Sequence, residues 1–282
     1  MWLAAVALVL GSAGLHASWN LIVKSEEDKL FSGWLTVLTP CLLLSPVLLA
    51  TGLPARSAWP FLAASASIHT GYMIALTRAY QHGDLSVVYP IARGLAPLIV
   101  ALAAPLVLGE RLSPVAMLAI ALVGGGITAL GLSTRRSFAG PAAIGWAVAT
   151  ALFISGYSIL DKAGVSRANP LAYIVVLFAV NAAMMLPYVL WQGGRRGAGW
   201  LRRVRWGRQI AGGLLSLGAY LMVLIAMRLT QVSYVAALRE TSVILAAILG
   251  WRVLGEAYGR ARILASAVVA LGLFLLVLAM RS

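Results

Sequence analysis

The chain has 282 residues, of which 61% are hydrophobic and only 11% charged, with a net charge of +14; soluble domains carry about a quarter charged residues. With a mean hydropathy of +0.93 there is no room for a sizeable soluble domain, so the chain reads as a polytopic membrane protein. The arginines sit in loops beside apolar runs rather than on one soluble face, a pattern that suits anionic lipid headgroups and excludes nucleic acid as the partner.

Ten apolar runs close to the roughly 20 residues that span the hydrocarbon as a helix follow in order: Trp2–Val23, Leu30–Leu49, Trp59–Ala79, Leu85–Leu108, Pro114–Leu132, Gly140–Leu160, Leu171–Trp191, Ile210–Leu229, Val232–Leu254 and Ile263–Met280. Ten-residue alternating segments, the mark of a membrane barrel, do not occur. Helix stops and starts separate the runs at Gly83-Asp84, Ser113-Pro114 and Asn169-Pro170, as expected of connections between short-linked helices. The one long connection, Gly193 to Arg208, carries six arginines. The first run lacks a basic leading region and is expected to be retained rather than cleaved. Cys41, the single cysteine, has no intrachain partner and reads as a packing residue.

The chain repeats itself. Tyr89-Pro90-Ile91-Ala92-Arg93-Gly94 leads through an apolar run to Leu108-Gly109-Glu110, and 146 positions on Leu238-Arg239-Glu240 leads to Leu254-Gly255-Glu256. The match continues without a gap through Ala121 and Ala267 to Gly126 and Gly272. At the front of each half, His16-Ala17-Ser18-Trp19-Asn20 and the following Lys24 align with Ile154-Ser155-Gly156-Tyr157-Ser158 and Lys162, offset by 138. Five spans per copy is an odd number, so the second copy must enter the membrane from the opposite face. The expected architecture is an all-α membrane protein of ten transmembrane helices, built as two inverted five-helix repeats over residues 1–137 and 138–282. Such repeats place a substrate site between the halves near the midplane.

On these residues the chain resembles the EamA-type families of the drug/metabolite transporter superfamily. The Gly-Glu pairs closing the fourth and ninth spans, the Gly124-Gly125-Gly126 of the fifth and the His16-Ala17-Ser18-Trp19-Asn20 opening carry the resemblance. It covers essentially the whole chain and implies a multi-pass transporter of a bacterial inner membrane, with efflux the commoner direction. It also implies both termini in the cytoplasm. The loop arginines point the other way, because the side opposite the termini holds more of them and the positive-inside rule then puts the termini outside.

Arg93 and Arg239 are the leading site residues. A central arginine costs about 2.5–3.5 kcal/mol to insert, so it needs a partner or a wet cavity. One reading makes each an anchor for a carboxylate or phosphate through its planar fork. The other has it bonding carbonyls freed at a kink, for which Pro90 and Pro97 provide the opportunity. Glu240, the acidic residue well inside a span, is either a proton carrier, since a desolvated carboxylate favours its neutral form, or a neutraliser of a nearby arginine. Its neighbour Arg239 faces about 100° away on a helix, which leaves Arg93 as an equal partner. His69 in mid-span and His16 in the first run are candidate proton or substrate groups, against the commoner role of an interhelical hydrogen bond.

Trp19, Tyr72, Tyr89, Tyr157 and Tyr234 lie within spans, and aromatic walls with hydroxyls suit an organic substrate; the bland alternative is interface or packing duty. Trp19 with Tyr157, and Asn20 with Ser158, stand out because they match across the repeat. The glycine-rich fifth span with Gly131, and Gly272 opposite, predicts close helix packing, inside the bundle or against a second copy, and Gly109-Glu110 and Gly255-Glu256 read as helix stops. No metal spacing, phosphate loop or catalytic triad is present, and no cofactor is expected.

Two functions are consistent with this pattern. One is a secondary transporter of a small zwitterionic or anionic metabolite such as an amino acid, driven by protons or by the substrate's own gradient, as a monomer or homodimer in the lipid bilayer. The other is a membrane-embedded flippase or enzyme acting on lipid headgroups or phospho-compounds. A transporter needs Arg93 and Arg239 on one central cavity, whereas a headgroup enzyme needs its charges together at an interface. A passive scaffold needs no buried charge at all.

Overall fold

The computed structural model describes the chain except residues 25, 27–28, 133–139, 195–203, 244–259 and 282. Gly255-Glu256, the far part of the ninth expected span and four of the arginines in the long connection, Arg195, Arg196, Arg202 and Arg203, fall outside the described residues. The described chain is helical: α1 (Trp2–Lys24), α2 (Lys29–Leu44), α3 (Val47–Thr51), α4 (Trp59–His82), α5 (Leu85–Leu108), α6 (Pro114–Leu132), α7 (Pro141–Val165), α8 (Pro170–Gly194), α9 (Trp206–Leu229), α10 (Val232–Arg239) and α11 (Arg260–Ala279).

Six of these helices are long and apolar enough to cross a membrane: α1, α5, α6, α7, α8 and α9. The protein is therefore a multi-pass membrane protein. Against the ten expected spans, α2 and α11 present shorter apolar stretches, Phe31–Leu44 and Leu264–Ala279. The expected second span stops at Leu44 and resumes as α3. There Pro46 cannot donate to the helix and its ring disfavours helical backbone in the residue before it, while Ser45 Oγ bonds the carbonyl of Leu42 at 2.8 Å.

The ends of the helices follow local chemistry. Asn169 Oδ1 accepts from the amide of Leu171 at 2.9 Å, and Ser113 Oγ accepts from that of Ala116 at 3.2 Å, which caps the starts of α8 and α6. Gly109 closes α5 at φ +68°, in the left-handed region that favours glycine at a helix end. α10 ends where the sequence predicted an uninterrupted span. Thr241 Oγ1 bonds the carbonyl of Leu238 at 2.7 Å, and the amide of Glu240 turns to Ala237, so the helical ladder is interrupted just at Arg239 and Glu240. Broken helices are tolerated at membrane depth where they line a cavity.

The packing pattern exchanges between the two halves. α1 lies along α9 as α7 lies along α4, and α2 contacts α9 as α8 contacts α4. At the crossing of α6 and α11, a Cβ on Gly126 would lie 2.8 Å from Cγ2 of Val269 and 3.5 Å from the carbonyl of Ala265. A Cβ on Gly272 would lie 2.8 Å from Cγ2 of Val123 and 2.9 Å from the carbonyl of Ala119. Adding 146 to each residue of the second set's α6 side gives the α11 side of the first, so one contact is the image of the other. Gly124 meets α5 across Gly94 and Leu98, and Gly131 meets it at Val87 and Pro90. The glycine face therefore packs within the bundle.

Polarity is inverted relative to a soluble protein. Large apolar side chains such as Leu42, Leu49, Leu106 and Phe274 cover the outside, while Ser65, Arg93, Thr150, Ser158, Asp161, Gln209 and Glu240 are buried. A solvent of acyl chains accounts for both halves of that pattern.

Candidate functional site

Arg93 sits on α5 one turn beyond Tyr89, and Glu240 and Arg239 sit at the break that ends α10. α10 packs directly on α5, which brings the two repeats' charges together. Arg93 Nη2 lies 3.1 Å from Glu240 Oε1, both side chains buried, and also reaches Ser242 Oγ at 3.5 Å. The ring of Tyr89 lies 6.0 Å from the Arg93 guanidinium carbon. Among the described residues, Arg93 Nε and Glu240 Oε2 are buried and have no hydrogen-bond partner. Such atoms are costly when left unmet, so the pair is incomplete without water or a ligand.

Arg239 differs. Its guanidinium carbon stands 5.4 Å from the Tyr220 ring, and among the described residues it has no carboxylate or hydrogen-bond partner. It lines two cavities that meet at the arginines. One, with room for about one water, has a wall of Ala96, Pro97, Val100, Ile154 and Ala236, with Ser158, Arg93, Arg239 and Glu240 supplying the polar groups. The other, equally small, is polar, with Ser12, Ala13, His16 and Ser242 around the same two arginines. One fixed cation beside a neutralised one, between an apolar and a polar lobe, can hold the acid group of a small amphiphilic molecule.

Beyond Arg239 the rings close up. His69 stacks on Tyr157 with centroids 4.0 Å apart, and Tyr72 meets Tyr157 edge-on at 6.0 Å. Tyr220 approaches His69 at 5.9 Å and Tyr157 at 6.4 Å. His69 Nδ1 lies 3.0 Å from the carbonyl of Ser65. The fully buried Asp161, one turn beyond Tyr157 on α7, accepts the hydroxyls of Tyr173 at 2.9 Å and of Tyr220.

The structure thus gathers Arg93, Arg239, Glu240 and Ser158 on the cavities, Tyr89 beside them, and His69, Tyr72 and Tyr157 in the adjoining aromatic group. Trp19 donates to His16 Nδ1 at 3.2 Å and stands behind that cavity-lining histidine. Tyr234 is buried in the main apolar core and lines neither cavity. The Asn20 side chain lies outside the described residues. Tyr220 and Ser242 carried no signal in the sequence reading, and Asp161 was placed at a span end; its i, i+4 spacing from Tyr157 was the available clue.

The junction before α10 is clamped from elsewhere in the bundle. Glu110 accepts from the amides of Val232 at 2.5 Å and Ser233 at 3.3 Å, and from Ser233 Oγ at 2.7 Å, so it caps α10 rather than merely following a stop. Lys162 Nζ bonds the carbonyls of Met227 and, at 3.0 Å, Thr230, closing the end of α9. These contacts fix the helix that bears Arg239 at its far end.

The charges required together at an interface by a headgroup enzyme meet instead inside the bundle. Residues 141–278 match the EamA-like transporter family. A solved crystal structure aligns over 98% of this chain and 97% of its own at a TM-score of 0.76, with 18% identity, a likeness that shows the fold. No curated protein matches the sequence.

Proposed function

We propose that this chain, which belongs to the EamA-like transporter family of the drug/metabolite transporter superfamily through residues 141–278, is a secondary transporter of small zwitterionic or anionic metabolites such as amino acids. Residues 1–137 and 138–282 act as two inverted units that rock about the arginine chamber and open it to each face in turn. Export across a bacterial inner membrane is the direction and place this reading assigns. The exchanged contacts of Gly126 with Val269 and Gly272 with Val123 support the two-unit description, because a two-fold relation makes each contact the partner of another.

The observation that carries the reading is the contrast between the arginines. Arg93 is neutralised by Glu240, so its charge is already spent. Arg239 stands on both cavities with an aromatic ring and makes no ion pair or hydrogen bond among the described residues, while its chain neighbour Glu240 is bonded to Arg93. An unpaired cation in a low-dielectric chamber is costly until an anion arrives. The substrate's carboxylate completes it, and the apolar lobe accepts the remainder of the molecule. A thermal-shift screen of amino acids and organic acids on the purified protein tests this, since a ligand held only by the folded state raises its apparent stability. The hit must lose its shift in Arg239→Ala; equal shifts in both proteins would overturn the anchor.

A further inference from the structure

We propose that the polar lobe is a carboxylate-selective subsite shared by the two halves of the chain, in which Ser12, His16 and Ser242 complete the recognition that Arg239 begins. Its use by a substrate rests on the transport reading above, which it deepens by naming the acid class. The subsite itself rests on which groups surround the lobe.

The lining comes from three places: Ser12, Ala13 and His16 of α1, Arg93 of α5, and Arg239 and Ser242 at the break that ends α10. Glu240 is not part of it; that carboxylate lines the apolar lobe and is bonded to Arg93. Every polar side chain on the lobe has hydrogen to give. The Arg239 guanidinium makes no hydrogen bond among the described residues, and Arg93 Nε is buried without one. Ser12 is buried, yet its hydroxyl too has no partner among the described residues. Ser242 Oγ accepts from Arg93 Nη2 at 3.5 Å, which leaves its own hydrogen available. His16 Nδ1 accepts from the Trp19 indole at 3.2 Å, so the ring hydrogen stands on Nε2. Buried donors without acceptors are costly, and here they surround one gap. An anion completes it.

Charge and shape make that anion a carboxylate. With Arg93 held by Glu240, Arg239 is the uncommitted cation on the lobe among the described residues. A single positive charge matches a carboxylate better than the nearly doubled charge of a phosphate ester. The lobe has room for about one water, so a flat acid edge enters where a tetrahedral group would have to push the helices apart. A carboxylate offers about four lone-pair sites. The planar fork of Arg239 takes two of them, and the hydroxyls of Ser12 and Ser242 with His16 Nε2 are at hand for the others. Ser12 and His16 belong to the first half of the chain, Arg239 and Ser242 to the second, so a bound acid group also ties the halves together. An amide is refused, because its own N–H groups would meet further donors.

Thermal-melt titrations of the purified protein with acetate, acetamide and inorganic phosphate, at matched ionic strength, test the subsite without assuming a substrate. Acetate should raise the midpoint of the parent, whereas acetamide and phosphate should leave it in place. The acetate response should vanish in Arg239→Ala. In Ser12→Ala and in Ser242→Ala the acetate needed should rise about tenfold, the share of one hydrogen bond to a charged group, while the ligand-free midpoints stay near the parent's. A merely structural serine would do the reverse, lowering the ligand-free midpoint and keeping the acetate response. No acetate shift in the parent, an equal shift with phosphate or acetamide, or an unaltered response in both serine variants overturns the proposal. Should a serine variant fail to fold, the other decides. In proteoliposome counterflow with a mixture of labelled standard amino acids, the double variant of Ser12→Ala and Ser242→Ala should need at least about tenfold more of the mixture for half its maximal rate, with that maximal rate kept. An unmoved half-saturation overturns the link between lobe and substrate. If the parent itself moves none of them, the transport reading fails, while the acetate result still decides the subsite.

Discussion

Glu240, from the second half of the chain, reaches Arg93 of the first across 3.1 Å, with both side chains buried. Removing one member of such a pair leaves the other as an uncompensated charge, a loss of about 3–5 kcal/mol in buried pairs. Arg93→Ala and Glu240→Ala should each lower the thermal midpoint of the purified protein sharply. The double variant should recover a substantial part, because both charges leave together. Additive losses in the double variant would show that the two do not act as a pair.

Arg239→Ala should behave in the opposite way. Its guanidinium makes no ion pair or hydrogen bond among the described residues, and Glu240 keeps Arg93 as its partner, so insertion, yield and thermal midpoint should stay near those of the parent. Binding of the screen's best ligand should fall by at least about tenfold, the share of a charge-assisted hydrogen bond. Arg239→Lys should recover little, since an ammonium lacks the planar fork. Unchanged affinity in Arg239→Ala would place the acid group elsewhere.

How much of this was legible beforehand depended on whether the signal was local. Arg93 and Arg239 announced themselves as cations in apolar runs, and the 146-residue offset paired them. The same offset linked Gly126 to Gly272, whose contacts prove to be images of each other. The break after Arg239 had no such marker, because neither proline nor glycine stands there; the backbone yields to Thr241 and to the pull of Arg93 on Glu240. Asp161 lay close to a predicted helix end, where boundaries are least certain, and its burial depends on tyrosines from two other helices. Glu110 read as a helix stop because the helix it caps begins more than a hundred residues later.

The α6–α11 crossing should tolerate no side chain. In Gly272→Ala the new methyl would meet the backbone carbonyl of Ala119 and the amide of Val123 at 2.9 Å as well as the Val123 side chain. In Gly126→Ala the nearest atoms are the valine methyls of Val269 and Val268, which can shift. Overpacking typically costs 1–3 kcal/mol, and Gly272→Ala should stand at the upper end. Val269→Ala should rescue Gly126→Ala in a thermal-melt assay, whereas Val123→Ala should rescue Gly272→Ala only in part because the backbone remains in the way. Equal tolerance at both glycines would mean that the helices are farther apart than described.

Glu110→Gln and Glu110→Ala probe the clamp on α10. The carboxylate meets two otherwise unpaired amides and one hydroxyl at the start of that helix, and its negative charge faces the positive end of the helix dipole. Loss of a cap costs about 1 kcal/mol, so neither variant should unfold the protein. The larger effect should appear at the far end of α10, where Arg239 and Glu240 sit. With the helix start loosened, hydrogen–deuterium exchange at residues 232–239 should rise, and ligand affinity should drop by severalfold although Glu110 touches neither cavity. Glu110→Gln, which still accepts hydrogen bonds, should fall between the parent and Glu110→Ala. Unaltered exchange over 232–239 in Glu110→Ala would show that α10 is held by its packing alone.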